Sequence, residues 1–245
     1  MTTLDDWAAR WAAGHIGFHE GAPNDLLVRH GALLHAAEAN GAHPPRVLVP
    51  LCGKTMDLEW LAQRGFAVVG VEAVEQACRA FFDERGAPTS LTPRAGGGAV
   101  VRTGAEHPTL ASVSLVCVDF FSASAPASTP STNDPLRPGF TAGYDRAALV
   151  AVPPARRADY VEVVAALLAP GAPLLLVSFE YDQARVDGPP WSLPEGDVRA
   201  LFSARFDVTH LESRAVPVRN ARLAAAGVNA MSESCYLLRR RVDVG

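Results

Sequence analysis

Lysine is almost absent from this 245-residue chain: a single one, Lys54, stands against 21 arginines. Together with the abundance of alanine, that bias reflects genomic base composition more than physics. A site needing only positive charge would have received arginine, so Lys54 is either wanted as lysine or a survivor on an exposed turn. A basic surplus is missing as well. The net charge of −4 and a pI near 6.0 exclude a general nucleic-acid binder, which must neutralise phosphates, and the Arg239-Arg-Arg241 run reads as a solvated strand end. No membrane span is expected, because the longest uncharged apolar stretch, Val163 to Phe179, is interrupted by Pro170-Gly171 and Pro173. Paired CxxC spacing is lacking among Cys52, Cys78, Cys117 and Cys235, which suits buried free thiols in a reducing cytosol. The opening Met1-Thr-Thr-Leu-Asp-Asp6 carries no basic-apolar leader, so a cytoplasmic location is expected. Nucleophile elbows, Walker loops and Cys-His catalytic signatures are also missing. His15 and His19 are four apart, but Gly14 and Gly17 argue against a helix and no third ligand follows, so no metal is expected.

What is present is enough chain, 49% of it hydrophobic and 20% charged, for one α/β domain over residues 1–245. Helix-like patterns begin at Thr3-Leu-Asp-Asp and after Pro23-Asn24. A buried strand over 46–50 leads through a turn to a helix over 55–64, then a strand over 67–71 and a helix from about 74 to 85. Strands are expected at 100–102, 112–118, 140–145, 173–181, 206–212 and 234–240, and helices at 154–168 and about 195–203. Pro93 to Gly98 is rich in turn residues. The Ser/Ala/Pro/Thr tract at 122–139 buries too little apolar surface to offset chain entropy, so a mobile insertion is expected there. Alternating strands and helices followed by a β-rich end give an α/β sheet with an antiparallel C-terminal pair.

The most informative stretch is Val47-Leu-Val-Pro-Leu-Cys-Gly-Lys54, followed by Val68-Val-Gly-Val-Glu72. Strand, glycine turn, helix and a strand closed by an acid form a nucleoside-binding half of a doubly wound sheet. In that reading the backbone from Leu51 to Gly53 passes under the ligand and Glu72 accepts hydrogen bonds from ribose hydroxyls. In the structural reading Gly53 only turns the chain and Glu72 only starts a helix. The turn is not GxGxxG, and a diphosphate wants several close amides. The pattern therefore leans to a nucleoside with an amino-acid tail, such as S-adenosylmethionine, rather than a dinucleotide. Asp119, before Phe120 and Phe121, is equally a helix cap with core aromatics or an acceptor for an adenine amino group with Phe120 on the ring face. Trp7, Trp11 and Phe18 read as core, with a lid over the cofactor as the alternative.

Trp7-x-x-x-Trp11, Ile16-Gly-Phe-His19, Leu48-Val-Pro-Leu-Cys-Gly-Lys-Thr-Met-Asp-Leu58, Val69-Gly-Val-Glu72, Asp119-Phe-Phe121, Tyr144-Asp-Arg-Ala-Ala-Leu-Val150, Gly188-Pro-Pro190 and Tyr236-Leu-Leu238 resemble the thiopurine S-methyltransferase family, especially its bacterial forms. The resemblance fails across about 85–112, 122–139 and about 214–226. It implies a Rossmann-like, seven-stranded, mostly parallel sheet with residues 1–45 as a helical lid, binding S-adenosylmethionine and releasing S-adenosylhomocysteine. By motif position, it implies Trp7 and Trp11 on the cofactor side of the lid, Leu51 touching the cofactor through the turn, and Glu72 on the ribose. Asp119 and Phe120 would flank the adenine, Phe18 would line the acceptor pocket, Arg146 would serve both cofactor and acceptor, and Arg222 would be a second pocket arginine. The implied reaction transfers a methyl group to the sulfur of an aromatic or heterocyclic thiol, a small-molecule partner, by a monomer. Arg146 would favour the thiolate. Another soft nucleophile (halide, thiocyanate, selenium or tellurium species, natural-product thiol), a nicotinamide-dependent oxidoreductase and a cofactor-binding protein without turnover are the competing readings.

Overall fold

A computed structural model describes residues 3–17, 19–35, 44–94, 97–103, 107–123 and 133–242. Phe18 and half of the Ser/Pro tract, residues 124–132, lie outside the described residues. In chain order the elements are α1 (Leu4–Ala12), α2 (Asp25–His30), β1 (Arg46–Val49), α3 (Asp57–Ala62), β2 (Ala67–Glu72), α4 (Glu75–Asp83), β3 (Thr89–Pro93), β4 (Ala99–Thr103) and β5 (Val113–Cys117). After them come β6 (Ala142–Arg146), α5 (Arg157–Leu167), β7 (Pro173–Tyr181), α6 (Glu195–Phe202), β8 (Phe206–Ala215), α7 (Ala221–Ala225) and β9 (Met231–Arg240).

The strands form one sheet in the order β3-β4-β5-β2-β1-β6-β7-β9-β8. The five central strands β5, β2, β1, β6 and β7 run parallel, while β9 is antiparallel to both β7 and β8. The seven strands of the implied sheet are therefore present, from β5 to β8. The antiparallel hairpin β3–β4 extends it at the β5 edge, with β4 at the strand expected over 100–102 and β3 unexpected. Strand β3 escaped the sequence reading because Thr-Ser-Leu-Thr-Pro is largely solvent-facing and offers no alternation of buried residues. Helix α7 was hidden too, since only Leu223 of its five residues is buried.

Alternation along the central strands sends side chains to two cores. Val47 and Val49 of β1 join Leu58, Leu61, Phe81 and Phe82 on one face. Leu48 joins Leu149, Val164, Leu174 and Leu176 on the other. Burying each such side chain stabilises the fold by about 1.5–3 kcal/mol, and two covered faces explain why these strands read as continuous apolar runs.

Strand β6 is the exception in composition, and packing explains it. A Cβ on Gly143 would lie 2.8 Å from Leu174 Cδ1, so a larger residue there would force Leu174 of β7 to shift. The next residues are buried and paired. Tyr144 donates its hydroxyl to Asp57 Oδ2 at 3.0 Å. Asp145 accepts from the Tyr160 hydroxyl at 2.7 Å and from the Leu149 amide at 3.2 Å.

The described part of the polar tract from Asn133 onward is fastened to the domain. Asp134 pairs with Arg94 at 2.8 Å, Arg46 donates to the Pro135 carbonyl at 2.6 Å, and Leu136 lies in the larger core.

Candidate active site

The chain leaves β1 towards β2 and β5 on one side, and later returns through β6 and β7 on the other. A doubly wound sheet opens a crevice at such a reversal, outside the carboxyl ends of the strands. A cleft of roughly 940 Å³ lies there, at the upper end of the range for small-molecule sites. Leu51, Glu72, Asp119, Phe120 and Arg146 line it from the ends of β1, β2, β5 and β6, and Trp7 and Trp11 line it from α1.

The turn after β1 is built from the backbone. Leu51 has φ 43° and Gly53 φ 53°. A left-handed leucine costs free energy, of order 1–3 kcal/mol for such strained residues, and persists only where its surroundings over-determine it. Those surroundings are visible: the Cys52 amide donates to the Val71 carbonyl at 3.0 Å, and the Gly53 amide donates to Glu72 Oε2 at 3.0 Å. The other Glu72 oxygen accepts from the Val74 amide at 2.9 Å. The structural reading of Glu72 is thus correct as far as it goes. Backbone N–H groups thus hold both oxygens, and a carboxylate oxygen has capacity for a further donor. Burial pushes its pKa up, against the opposing amide bonds from Val74, Gly53 and Ala73. Gly53 stands behind the lining, with its amide spent on Glu72. Beneath them, a Cβ on Gly70 would meet Cys52 Sγ and Leu115 Cδ2 at 2.6 Å, so the turn rests directly on β2.

A second left-handed residue, Ala147 with φ 65°, follows Arg146 at the end of β6 and also lines the cleft. The two non-glycine residues with positive φ among the described ones both stand where a central strand opens into this crevice.

Asp119 accepts from the Phe121 amide at 3.1 Å and caps the short 3-10 turn Phe120–Ser122. Phe120 packs on Tyr160 with ring centroids 5.0 Å apart and joins the core. Both structural readings hold for this pair, yet both residues also face the cleft. The tryptophans behave likewise. Trp11 is buried with Val74 and Ala77 of the α4 segment, Trp7 packs beside it, and Arg10 lies over the Trp7 ring at 5.1 Å.

Arg146 ends β6 rather than beginning a loop. Its guanidinium meets Glu20 Oε1 at 2.6 Å. Lys54 lines the cleft and pairs with Glu84. Half-buried His19 is held below its ordinary pKa by desolvation first and by the Lys54 charge second. Arg222 is not part of the lining. It donates to the carbonyls of Asp187, Gly188 and Pro189, so it braces the loop whose Pro189 and Pro190 do line the cleft; of the neighbouring arginines, Arg214 and Arg219 do line it.

Sequence reasoning missed a polar network beside Glu20 and Asn24 at the cleft wall. The Asn24 amide donates to Asp57 Oδ1 at 2.8 Å, and its side chain donates to Glu233 Oε1 at 3.3 Å. Arg214 links Glu233 at 2.7 Å to Asp25 at 3.1 Å. Only Asn24 announced itself, as a helix cap. The rest are drawn together over roughly 20 to 210 positions, with no local pattern. Among the described residues no group of three or more His, Cys, Asp or Glu is arranged to hold a metal ion, and no helix is long and apolar enough to cross a membrane.

The chain matches the thiopurine S-methyltransferase family over residues 2–241. It is 40% identical over 237 residues to a thiopurine S-methyltransferase of Xanthomonas campestris pv. campestris, covering 96% of this chain and 98% of that protein. It is 39% identical to one of Azotobacter vinelandii, covering 97% and 99%. Among solved structures it resembles a S-adenosylmethionine-dependent methyltransferase of Methanosarcina mazei (TM-score 0.58, 15% identity, 91% of this chain and 100% of that one). It also resembles 1,6-didemethyltoxoflavin-N1-methyltransferase of Burkholderia thailandensis (TM-score 0.52, 18% identity, 97% and 87%), whose structure holds S-adenosylhomocysteine. At those identities the two structures show a common fold.

Proposed function

The chain belongs to the thiopurine S-methyltransferase family and is an S-adenosylmethionine-dependent S-methyltransferase; on that premise we propose that its acceptor is the sulfur of an aromatic or heterocyclic thiol. The observation that carries the site is the Glu72 carboxylate closed onto the left-handed turn at Leu51–Gly53, inside a cleft large enough for a nucleoside with an amino-acid tail and a small aromatic partner. The residues present fit that cofactor.

When bound, S-adenosylmethionine supplies a methyl group on a sulfonium, which a soft nucleophile attacks in line. The protein orients and dries the encounter. Glu72 accepts from the ribose hydroxyls, and Leu51 brings bare backbone against the cofactor. Asp119 accepts from the adenine amino group while the edge of Phe120 packs on the ring. Trp7 and Trp11, on the face α1 turns inward, close the cofactor side, which makes α1 part of a lid over the cleft. Arg146 sits between cofactor and acceptor and stabilises a thiolate electrostatically. Arg222 supports that pocket by holding the 187–190 loop. Heteroaromatic thiols are largely ionised near neutral pH, so the site needs no strong general base. The reaction requires no metal. A cytoplasmic monomer completes the reading, and the four buried free cysteines suit a reducing compartment.

Calorimetric titration with S-adenosylhomocysteine, followed by a panel of acceptors with labelled cofactor, tests the reading. Binding together with methylation of aromatic thiols is expected. Transfer only to halide, thiocyanate or selenium species would move the acceptor class. Stabilisation by a nicotinamide dinucleotide and none by S-adenosylhomocysteine would overturn the assignment.

A further inference from the structure

We infer that Glu20 is a specificity-determining residue: its carboxylate competes with an anionic acceptor for the guanidinium of Arg146. The inference deepens the reading above and rests on it, because it takes Arg146 as the acceptor-side cation.

The geometry is built rather than incidental. Arg146 is largely enclosed, with a side chain 10% exposed, and meets Glu20 Oε1 at 2.6 Å, while the Glu20 side chain is 38% exposed. Both residues line the cleft. The other Glu20 oxygen, Oε2, accepts from the Asn24 side-chain amide at 3.5 Å. Asn24 is itself immobilised by its backbone bond to buried Asp57 and its side-chain bond to buried Glu233. Glu20 is thus presented to Arg146 from a fixed anchor.

Two consequences follow from charge alone. A carboxylate already on the guanidinium weakens the field that Arg146 projects into the acceptor end without removing it. An acceptor carrying its own carboxylate must then displace Glu20 or lie beside it, at the cost of like-charge repulsion. A neutral ring substituent incurs neither cost. Because Glu20 is partly exposed, the pair is screened and the penalty is modest; it tunes KM rather than forbidding binding. Repulsion of the unwanted class is a usual way to build specificity.

The test compares wild type with Glu20→Gln, using S-adenosylmethionine and two aromatic thiols that differ only by a ring carboxylate. Gln keeps the size of the side chain and its contact with Asn24 while removing the charge. The ratio of kcat/KM for the carboxylated thiol to that for the plain one is expected to rise on the order of fivefold, carried by a lower KM for the carboxylated thiol. Glu20→Ala, which removes the competing group altogether, is expected to raise the ratio too. Thermal melting of each variant confirms the fold. If the ratio is unchanged or falls in both variants while wild type binds S-adenosylhomocysteine and methylates the plain thiol, the Glu20 inference fails alone. If wild type neither binds S-adenosylhomocysteine nor methylates either thiol, the functional reading fails and this inference with it.

Discussion

The two ends of the cleft are made differently. At the end proposed for the cofactor the parts are backbone: a left-handed turn after β1, and a carboxylate from the neighbouring strand holding two amides, all between Val49 and Val74. At the end proposed for the acceptor the parts are side chains, Glu20 on Arg146, Asn24 on Glu233 and Arg214 on Asp25, brought from both termini and the middle of the chain. The first end depends on strand registration, which the cores on both faces of the sheet secure. The second depends on ion pairs that a single substitution rewires. A fold can therefore hold its cofactor site constant while its acceptor specificity changes.

Removing Arg146 should break that contrast most visibly. Arg146→Ala is expected to lower kcat/KM for thiol acceptors on the order of a hundredfold, with S-adenosylhomocysteine affinity changed much less. An equal loss in both would place Arg146 on the cofactor end instead. The reciprocal change is Glu72→Gln, which puts an amide donor against the Gly53 or Val74 N–H. Calorimetry is expected to show S-adenosylhomocysteine binding weakened roughly thirtyfold, about 2 kcal/mol, with circular dichroism unchanged. Wild-type affinity in that variant would remove the ribose role.

Asp145 sharpens the comparison from below, since it lies one residue before Arg146 and is fully buried. Burial raises its pKa to about 6, against the opposing bonds from Tyr160, Leu149 and Ala148. The native state therefore holds this proton more tightly than the unfolded chain. The stability it contributes is full below the ordinary aspartate pKa near 4 and is lost as pH rises through 6. Urea titrations of wild type and Asp145→Asn are expected to show the wild-type advantage shrinking by about 2 kcal/mol between pH 4 and pH 7. A constant difference would mean that Asp145 does not titrate there. The smallest effect belongs to Asn24→Ala. Losing the cap of α2, whose side chain accepts from Leu26 and Leu27, should cost roughly 1 kcal/mol in denaturant melts. Freeing the Glu20 anchor should also shift acceptor KM more than cofactor affinity.

The contrast explains what could be read in advance. Gly53 and Glu72 are 19 positions apart and bridged by one helix, so their meeting follows from strand and helix lengths. Glu20 and Arg146 meet only because β6 inserts beside β1, a pairing with no local signature in Phe-Thr-Ala-Gly-Tyr. Asp119, Phe120, Trp7 and Trp11 admitted two readings because they serve packing and cleft at once, and sequence records a residue once whatever its number of roles. Arg222 had the right chemistry and neighbourhood, but its reach depends on a loop contact that no spacing reveals.

By itself the sequence determined the alternating α/β order, the glycine turn after the first sheet strand and the acid that closes the second, because those follow from short-range periodicity and from backbone geometry that few residues tolerate. Tertiary structure alone decided which charges face one another across the cleft, and that Glu20 already occupies Arg146. Coulombic partners are chosen by distance in space, and chain separation carries almost no information about it.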